Sequence, residues 1–443
     1  MRILKVIHGY PMRYNAGSEV YSQMLCHALA NRHEVHVFTR EENPFKPDYI
    51  IETEADTTDS RIKLHVMNLS GDRHHYQYQH PTADQKFTQL LDKIKPDIVH
   101  IGHLNHLSTS IVYAIKQQKI PILFTLHDYW LMCPRGQFMQ RNANLDSELW
   151  AACTGQDNKK CAIQCYSGCL SGAPKEQEQE LNFWEQWVAR RMDHTRDITQ
   201  LIDHFVAPSR YLYQRFVDDF QLPKEKITYL DYGFDLQRFA KARQRLANEP
   251  FTFGYIGTHI PAKGIQHLIQ AFSLMQGNCL LRIWGRPNQN TASLKALAAS
   301  CVGKQKSNIE WLGEYCNNEI LSEVFNKVDC IVVPSIWVEN SPLVIHEALQ
   351  ARVPVITANV GGMAEYITHE VNGLLFEHRN SNSLAQQMQI LLDNPVFAKK
   401  IGSRGYLLSP DNNIPDLVAH VQQIESLYYH ILVNTKETVY ANI

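Results

Sequence analysis

Three features that would direct a protein to a membrane, to nucleic acid or out of the cell are missing from this sequence. No window of about 18 apolar residues occurs, so no membrane-spanning helix is predicted. The formal net charge is only -2, which disfavours nucleic acid as a partner. No leader pattern precedes the first strand, and ten cysteines are too few and too unevenly placed for a secreted disulfide framework. We therefore expect a cytoplasmic protein.

The glycine fingerprint G-x-G-x-x-G is also absent, yet the rest of the pattern is that of an α/β fold. A length of 443 residues exceeds the usual size of one hydrophobic core, which predicts two domains. Short apolar strands alternate with amphipathic helices in both halves, which predicts doubly wound parallel sheets. We predict an N-terminal domain over 1–245 with an insertion at about 133–175, a C-terminal domain over 246–411 and a last helix within 412–443.

The C-terminal half contains the most informative stretch, which begins at a predicted buried strand, Cys330–Val333. Ser341 then offers an N-cap oxygen and Pro342 a first helical residue, so a helix is predicted from Pro342 to about Ala351. The amides at the start of such a helix carry partial positive charge and can hold an anionic group. This stretch therefore predicts a phosphate site.

Two carboxylates flank the predicted phosphate site. Glu339 lies before the helix and Glu347 about one and a half turns inside it, so the pair can reach two parts of one ligand. A phosphate would repel both side chains, whereas sugar hydroxyls would bind them. The pair favours a phosphorylated sugar compound as the ligand, and the alternative is two solvated carboxylates.

Further residues of this region follow one another in a recognisable order. The series is Pro334-Ser335, Trp337, Glu339, Asn340, Pro342, Glu347-Ala348, Pro354-Val355-Ile356, Gly361-Gly362, Glu365 and Asn372-Gly373. This series resembles the donor-binding signature of glycosyltransferase family 4, whose members are retaining, nucleotide-sugar-dependent enzymes with the GT-B fold. The resemblance implies that Glu347 binds the ribose hydroxyls of the donor and that Glu339 acts beside the donor sugar as a catalytic residue. It also implies that the donor diphosphate lies near the backbone of Asn340, Ser341, Pro342, Leu343 and Val344.

The same resemblance extends to nearly the whole chain. It implies two Rossmann-like domains that face a central cleft, with the donor in the C-terminal domain, the acceptor mainly on the N-terminal one, and the last helix crossing back to the first domain. It implies a UDP-, GDP- or ADP-sugar donor, a glycan, lipid-linked or small-molecule acceptor, and a role in polysaccharide or glycoconjugate biosynthesis. The family's chemistry is usually metal-independent, so no cofactor is expected for catalysis.

Cations for the leaving diphosphate are expected in the first loop of the C-terminal domain. Family members usually carry an arginine after the glycine of the first strand and a lysine five residues later. Here Thr258 follows that glycine and only Lys263 matches, so Lys263 is the expected catalytic cation, with His259 as a candidate second one. The alternative for Lys263 is a solvated residue at a helix start. The turn from Gly313 to Tyr315 resembles the family's base-contacting loop.

In the N-terminal half, polar residues follow predicted strands at the sheet edge where doubly wound folds bind ligands. Gly17 opens the first helix, and the resemblance implies that the donor phosphate or the acceptor approaches it; otherwise it only caps a turn. His103 follows one buried strand, and His127 and Asp128 follow the next. The resemblance implies that His127 faces the donor sugar as a catalytic residue. We expect His103 and Asp128 on the acceptor side, the alternative being polar loop residues.

An insertion at about 133–175 interrupts the alternating pattern and is long enough to have a function of its own. It contains four closely spaced cysteines, Cys153, Cys161, Cys165 and Cys169, and Cys133 at its start is a fifth candidate ligand. Four thiolates can close a tetrahedral zinc or an iron–sulfur site, so we predict a structural metal here. Unligated thiols are the alternative, and disulfides are disfavoured in a reducing compartment.

The predicted helix Gln177–Leu201 carries Trp184 and Trp187 beside Arg190 and Arg191. Such a surface can rest on an anionic membrane that presents a lipid-linked acceptor, which would bring the protein to the inner face of the membrane as a peripheral protein. The alternative is that these aromatic side chains pack in the core.

Two other functions fit the same architecture. A nucleotide-sugar epimerase shares the two-domain fold, and a non-catalytic sugar-nucleotide-binding protein can keep it after losing activity. The ordered signature favours the transferase over the epimerase. Glu339, Glu347, Lys263 and His127 together argue against a loss of activity. The sequence therefore predicts a retaining glycosyltransferase.

Overall fold

The structure, a computed structural model, describes residues 1–11, 13–69, 77–141, 150–166, 174–241, 243–245, 249–301 and 308–441. The chain divides into two compact α/β units. Unit 1 comprises Met1–Phe234 and Asp416–Ile443, and unit 2 comprises Asp235–Pro415. The end of the chain therefore belongs to the same unit as its beginning.

The boundaries differ somewhat from those read from the sequence. The first lies at 234–235, not at 245–246, and the second lies at 415–416, not at 411–412. Arg245 explains the first difference, because its guanidinium pairs with Asp329 of unit 2 at 2.9 Å. That pair attaches the segment around Arg245 to unit 2.

Unit 1 is built on an eight-stranded sheet. Its strands are β1 (Arg2–Val6), β2 (Glu34–Glu41), β3 (Ile51–Ala55), β4 (Lys63–Asn68), β5 (Ile98–Ile101), β6 (Ile122–Thr125), β9 (His204–Ala207) and β10 (Ile227–Tyr229), and the insertion adds a hairpin of β7 (Met139–Arg141) and β8 (Trp150–Ala152). The strand order is β10-β9-β6-β5-β1-β2-β4-β3, and every neighbouring pair is parallel except β3 and β4.

The helices of unit 1 up to residue 234 cover the faces of this sheet and extend the insertion. They are α1 (Gly17–Leu29), α2 (Pro81–Ile94), α3 (Ile111–Gln117), α4 (Asn158–Cys161), α5 (Pro174–Leu201) and α6 (Arg210–Asp218). A short π-helical turn, Ala162–Tyr166, follows α4. On α2, Phe87, Leu90, Leu91 and Ile94 are buried, because their spacing places them on one face of the helix.

Unit 2 is built on a six-stranded parallel sheet in the order β13-β12-β11-β14-β15-β16. The strands are β11 (Phe251–Ile256), β12 (Cys279–Trp284), β13 (Ile309–Trp311), β14 (Cys330–Val333), β15 (Val355–Ala358) and β16 (Gly373–Phe376). The helices are α7 (Ile265–Ser273), α8 (Thr291–Ser300), α9 (Ile320–Glu323), α10 (Leu343–Gln350), α11 (Gly361–Glu365), α12 (Ser381–Asp393) and α13 (Pro395–Gly402), after which α14 (Leu417–Ala441) completes unit 1. Strands β14 and β15 are buried throughout, because a parallel sheet is covered on both faces.

Each sheet reverses its strand order at one point. In unit 1, β1 lies between β5 and β2, and in unit 2, β11 lies between β14 and β12. At such a point the loops that leave the two neighbouring strands diverge, which opens a crevice at the carboxyl edge of the sheet. The loops after β1, β5, β11 and β14 are therefore the places to look for a site.

The two doubly wound sheets confirm the fold class read from the sequence. The edge strand β3 was missed because its residues are mostly exposed and polar, which hides the apolar periodicity of a strand. Among the helices that the structure describes, none combines the length and the apolar character needed to cross a membrane.

Candidate functional site

The loops after β11 and β14 bring two predicted catalytic residues of unit 2 together. Lys263 Nζ, at the end of the first loop, donates to Glu339 Oε2, in the second, at 3.0 Å. Glu339 is 5% exposed and accepts a further hydrogen bond from the Ser335 hydroxyl. The Lys263 ammonium also lies 5.7 Å from the centroid of the Trp337 ring. A buried carboxylate and a cation thus stand side by side at the carboxyl edge of the sheet.

Two glycines allow these loops to come so close. Gly264 has φ +72°, and a Cβ there would lie 1.9 Å from the carbonyl oxygen of Pro334. At Gly362 a Cβ would lie 1.4 Å from the carbonyl oxygen of Asn340, and the Gly362 amide donates to the Glu339 carbonyl at 3.1 Å. A side chain at either position would push the Glu339 loop away from its place.

Helix α10 begins one residue later than predicted, and Ser341 is not its cap. The N-cap is Pro342, whose side chain makes no capping hydrogen bond, and Leu343 and Val344 form the first turn. The Ser341 hydroxyl instead accepts from the Tyr366 phenol at 2.9 Å. Since no side chain caps this end, the positive end of the α10 dipole remains directed toward the adjoining loop.

Glu347 is held by an arginine that the sequence analysis missed. Arg238 Nη2 lies 3.0 Å from Glu347 Oε1, and the two side chains are only 6% and 10% exposed. Burial raises the pKa of Glu347, and the Arg238 charge opposes that rise. The carbonyl of Asn317 accepts two further bonds from Arg238, at 2.6 and 3.0 Å. Arg238 therefore fixes the position of the Glu347 carboxylate.

Other predicted donor residues lie near this carboxylate or at neighbouring strand ends. Tyr315 follows β13, and burial together with the nearby Glu347 charge raises the pKa of its phenol. Gly313 is exposed in the same loop. The Thr258 carbonyl accepts from the Tyr255 phenol at 3.1 Å. The roles of these residues toward a donor stay predictions.

His259 does not supply the second cation that the sequence analysis considered. The residue is 1% exposed, and its Nδ1 lies 3.0 Å from the Thr291 hydroxyl. Burial, followed by the charge of Lys295, lowers its pKa, so the ring is neutral at pH 7. Another cation of this region, Arg238, is buried and lies against Glu347.

In unit 1, Tyr232 orients the predicted catalytic residue His127. Tyr232 Oη lies 2.6 Å from His127 Nδ1, and the two rings stack with centroids 5.7 Å apart. Burial raises the pKa of Tyr232, so its phenol keeps the proton and can donate to Nδ1. Burial, followed by the charge of Lys5, lowers the pKa of His127, which keeps the ring neutral. When the Tyr232 phenol donates to Nδ1, the ring proton lies on Nε2. His127 is therefore set up as a neutral hydrogen-bond donor.

Removing the Tyr232 hydroxyl tests this orientation. Tyr232→Phe is expected to lower the turnover of a donor about fivefold, because it removes one hydrogen bond worth roughly 1 kcal/mol. The measurement is the release of nucleoside diphosphate, with Tyr429→Phe, at an exposed residue of α14, as the matched control. Equal turnover in the two variants would show that Tyr232 does not set the tautomer of His127.

A second row of hydrogen-bonded side chains lies at the same edge of unit 1, and it contains the two residues that are predicted on the acceptor side. The Asn105 amide donates to His103 Nδ1 at 2.9 Å, so the His103 proton lies on Nε2, 3.2 Å from Asp128 Oδ2. The ring centroids of His103 and His8 are 4.4 Å apart, and His8 Nε2 lies 3.3 Å from Glu19 Oε1. This row of side chains therefore extends from α1 to the loop after β6.

His8 and Glu19 were missed by the sequence analysis, although a signal was present. His8 follows β1 as His103 follows β5, so the reasoning that selected His103 applies equally to His8. Glu19 lies in the first turn of α1, where a carboxylate complements the helix dipole. Gly17 is exposed as the first residue of that helix, two residues before Glu19.

The structure describes three of the four predicted metal ligands in the insertion. Cys153, Cys161 and Cys165 line a small cavity together with Cys133, and burial raises the pKa of Cys161 to about 12. Cys169 lies outside the described residues. Across the part of the chain that the structure describes, no three histidine, cysteine, aspartate or glutamate side chains are grouped so that they could hold a metal ion. A site that includes Cys169 stays a prediction.

Elemental analysis tests this metal prediction. A structural site predicts about one zinc, or an iron–sulfur cluster, per chain in protein purified without oxygen, and a lower content in Cys165→Ser. Cys279→Ser, at a buried cysteine of β12, is the matched control. A metal content near zero in the wild-type protein would rule the site out.

The aromatic residues of α5 mostly pack against the insertion. Trp184 and Trp187 contact Tyr166, with ring centroids 5.1 and 5.0 Å apart. Arg191 is 1% exposed, and its guanidinium donates to the Trp130 carbonyl at 2.7 Å. Trp184, Trp187 and Arg191 are therefore packed against other parts of unit 1.

Two family models match the chain. The model described as Glycosyltransferase Family 4 matches residues 16–238, and the model described as Glycosyl transferases group 1 matches residues 237–408. The matched segments include candidate residues of both units.

Curated relatives match over parts of their length. The chain is 25% identical over 309 residues to an uncharacterized 42.6 kDa protein in the cps region of Klebsiella pneumoniae, which is 69% of this chain and 66% of that protein. It is 24% identical over 221 residues to the capsular polysaccharide biosynthesis glycosyltransferase CapM of Staphylococcus aureus, which is 45% of this chain and 55% of CapM. The chain thus spans less than two thirds of the length of these relatives.

A solved structure shares the fold over nearly the full chain. The Anabaena protein HepE in complex with UDP-glucose aligns with a TM-score of 0.68 and 16% identity, covering 97% of this chain and 100% of HepE. At this identity the likeness concerns the fold.

Proposed function

Because this chain belongs to glycosyltransferase family 4, whose model covers residues 16–238, we propose that it transfers a sugar from a nucleotide-sugar donor to an acceptor with retention of the anomeric configuration. Its two α/β units have the GT-B fold. The proposed donor is a UDP-, GDP- or ADP-sugar, and the proposed acceptor is a glycan, a lipid-linked sugar or a small molecule. The likeness to CapM supports a role in polysaccharide or glycoconjugate biosynthesis.

The observation that carries this proposal is the pairing of two buried carboxylates with two cations in unit 2. Lys263 pairs with Glu339, and Arg238 pairs with Glu347. A nucleotide sugar presents hydroxyls, which carboxylates bind, and phosphates, which cations bind. When a donor enters, Lys263 would turn from Glu339 to the diphosphate, and Glu339 would accept a hydrogen bond from a sugar hydroxyl.

The proposed chemistry follows from where charge develops. Cleavage of the bond between sugar and diphosphate leaves negative charge on the phosphate, which Lys263 and the start of α10 would stabilise. Positive charge develops on the sugar, beside Glu339. The acceptor oxygen would then bond to the anomeric carbon on the face that the phosphate leaves, and the leaving phosphate would take the proton of that hydroxyl.

The polar groups of unit 1 have proposed roles in the same reaction. His127 would donate from Nε2 to a hydroxyl of the donor sugar. His103 and Asp128 would orient the acceptor, with His8 and Glu19 holding them in place. No cofactor is proposed for this chemistry.

The proposed location is the cytoplasm, with peripheral contact at the inner face of the membrane. Phe183 is 52% exposed on α5, and Arg190 is exposed two turns further along the same helix. An apolar ring and a cation on one face can rest together on an anionic lipid surface.

A thermal-shift panel tests the donor class. A ligand that binds only the native state at a hundred times its Kd adds about 2.7 kcal/mol to the free energy of unfolding. We expect at least one of UDP-glucose, GDP-mannose and ADP-glucose to raise the melting temperature more than its nucleoside monophosphate does. If none raises the melting temperature at millimolar concentration, the proposed donor class is wrong.

Glu347 should determine the binding of the nucleotide. Glu347→Gln is expected to weaken donor binding by about 1.5 to 3 kcal/mol, because a charged acceptor for the ribose hydroxyls is lost. Glutamine is preferred to alanine here, because alanine would leave Arg238 buried without its partner and destabilise unit 2.

Calorimetric titration of the nucleoside diphosphate measures this effect. Glu310→Gln, at an exposed carboxylate of β13, is the matched control. An affinity unchanged by Glu347→Gln would remove Glu347 from the ribose site.

A further inference from the structure

Unit 1 contains a groove at the amino ends of β1, β2 and β4, away from the carboxyl edge of the sheet. Its volume is about 760 Å³, which is within the range of small-molecule sites. The flank of α2 forms one wall, and the floor carries His36 of β2, His65 of β4 and Thr53 of β3. None of the candidate donor or acceptor residues lines it.

The floor of the groove carries a row of hydrogen-bonded side chains. His36 Nε2 lies 3.0 Å from Glu34 Oε1, and His36 Nδ1 lies 2.9 Å from His65 Nε2. His65 Nδ1 in turn lies 2.9 Å from the Thr53 hydroxyl. Burial lowers the pKa of both histidines, so both rings are neutral. The Thr53 hydroxyl then donates to His65, and His65 donates to His36. His36 in turn donates to Glu34. The floor is therefore polar and fixed.

The second wall is a loop that one buried amide holds in place. Asn68 is 1% exposed, and its side-chain nitrogen donates to the carbonyls of Asn43, Lys46 and Pro47 at 3.1, 2.9 and 3.1 Å. The Tyr49 amide donates to the Asn68 carbonyl at 2.8 Å, and Tyr49 has φ +67°, in the left-handed region. The loop thus brings Tyr49 to the groove in a defined conformation, which lowers the entropy lost when a ligand binds.

Cations outnumber carboxylates around the groove. The cations are Arg2, Lys63, Lys86 and Lys93, and the carboxylates are Glu34 and Asp48. Glu34 already has Arg2 at 2.9 Å and Lys63 at 3.6 Å. No ion pair engages Lys86 or Lys93 within the described ranges, and their spacing of seven residues puts both on one flank of α2. Two cations are therefore available to an anionic ligand.

We propose that this groove binds a saccharide that carries a negative charge, as a carboxylate or a phosphate group. Lys86 and Lys93 pair with that group, and Gln89 and Thr53 bind the sugar hydroxyls. Tyr49 offers an aromatic face to the apolar side of the sugar ring. An inorganic ion would fill only a small part of 760 Å³. The proposal stands apart from the transferase activity, because its residues are not those of the donor or acceptor sites.

Calorimetric titrations of the full chain test this proposal. The probes are trigalacturonate and glucose 1-phosphate. Neutral maltotriose tests whether the negative charge is needed, and inorganic phosphate tests whether the sugar is needed. At least one charged saccharide should bind at least about tenfold more tightly than both controls, and Lys86→Ala/Lys93→Ala should weaken that binding at least about tenfold. The two charged probes tell whether a carboxylate or a phosphate is preferred.

The matched control is Lys399→Ala/Lys400→Ala, which removes two exposed lysines from α13. It should leave the affinity unchanged, and neither double variant should alter the thermal shift given by a nucleotide sugar. Equal affinity for maltotriose, equal affinity for phosphate, or binding that Lys86→Ala/Lys93→Ala leaves intact would each overturn the proposal. So would no binding of either charged saccharide. If nucleotide sugars gave no thermal shift, the proposed donor class would be wrong, but the titrations of the charged saccharides would still test the groove.

Discussion

Lys263→Ala is expected to lower the release of nucleoside diphosphate from the donor by at least about 10²-fold, the effect of losing one preorganised donor at a developing negative charge. The arginine that family members usually place at position 258 is Thr258 here, and His259 is buried and neutral. The Arg238 guanidinium is directed at Glu347. We therefore expect the leaving phosphate to depend on Lys263.

A double variant separates this role from the pairing of Lys263 with Glu339. If Lys263→Ala acts only by leaving the Glu339 carboxylate unpaired, then Lys263→Ala/Glu339→Gln should be no slower than Glu339→Gln alone. We expect the double variant to be slower. Lys295→Ala, an exposed lysine of α8, is the control for loss of charge in unit 2. Near-wild-type release by Lys263→Ala would mean that the diphosphate is held elsewhere.

Glu339→Gln is expected to lower the same turnover about 10²-fold while the dissociation constant of the donor changes no more than about threefold. The amide keeps the shape of the side chain and can still accept from the Ser335 hydroxyl, so the loop keeps its conformation. What is lost is the negative charge that we propose to lie beside the sugar, where positive charge develops in the transition state.

Steady-state kinetics measure the effect of Glu339→Gln on turnover, and a calorimetric titration of the donor measures its effect on binding. Glu319→Gln, an exposed glutamate before α9, is the control. If the affinity for the donor falls as far as the turnover, Glu339 binds the substrate in its ground state and the catalytic role is wrong.

Apolar strand patterns predicted both sheets, and the resemblance to family 4 selected Lys263 and Glu339 as residues near the donor. These two residues are 76 positions apart in sequence, and their atoms lie 3.0 Å apart. The rule that ligands bind at the carboxyl ends of parallel strands selected His103 and His127. The same rule would have found His8.

Other features depend on contacts that leave no local pattern. Arg238 lies 109 residues before Glu347, and nothing in its own segment names that partner. Ser341 fits the consensus for an N-cap, but the fold brings Tyr366 close to it. The Ser341 hydroxyl therefore accepts from the Tyr366 phenol and does not cap the helix. Burial makes His259 neutral, and burial is a property of the packed chain. Tertiary packing therefore decided these cases.

The most direct test of the central claim is proton NMR of a nucleotide sugar, chosen from the thermal-shift panel, incubated with the wild-type protein and with Lys263→Ala. The account predicts that the wild-type protein releases nucleoside diphosphate and a free sugar that first appears in the anomeric configuration of the donor, and that Lys263→Ala does so at least about 10²-fold more slowly. An epimerised nucleotide sugar without release of nucleoside diphosphate would indicate an epimerase. A donor that binds and stays unchanged, even with candidate acceptors present, would contradict the account and indicate a non-catalytic protein.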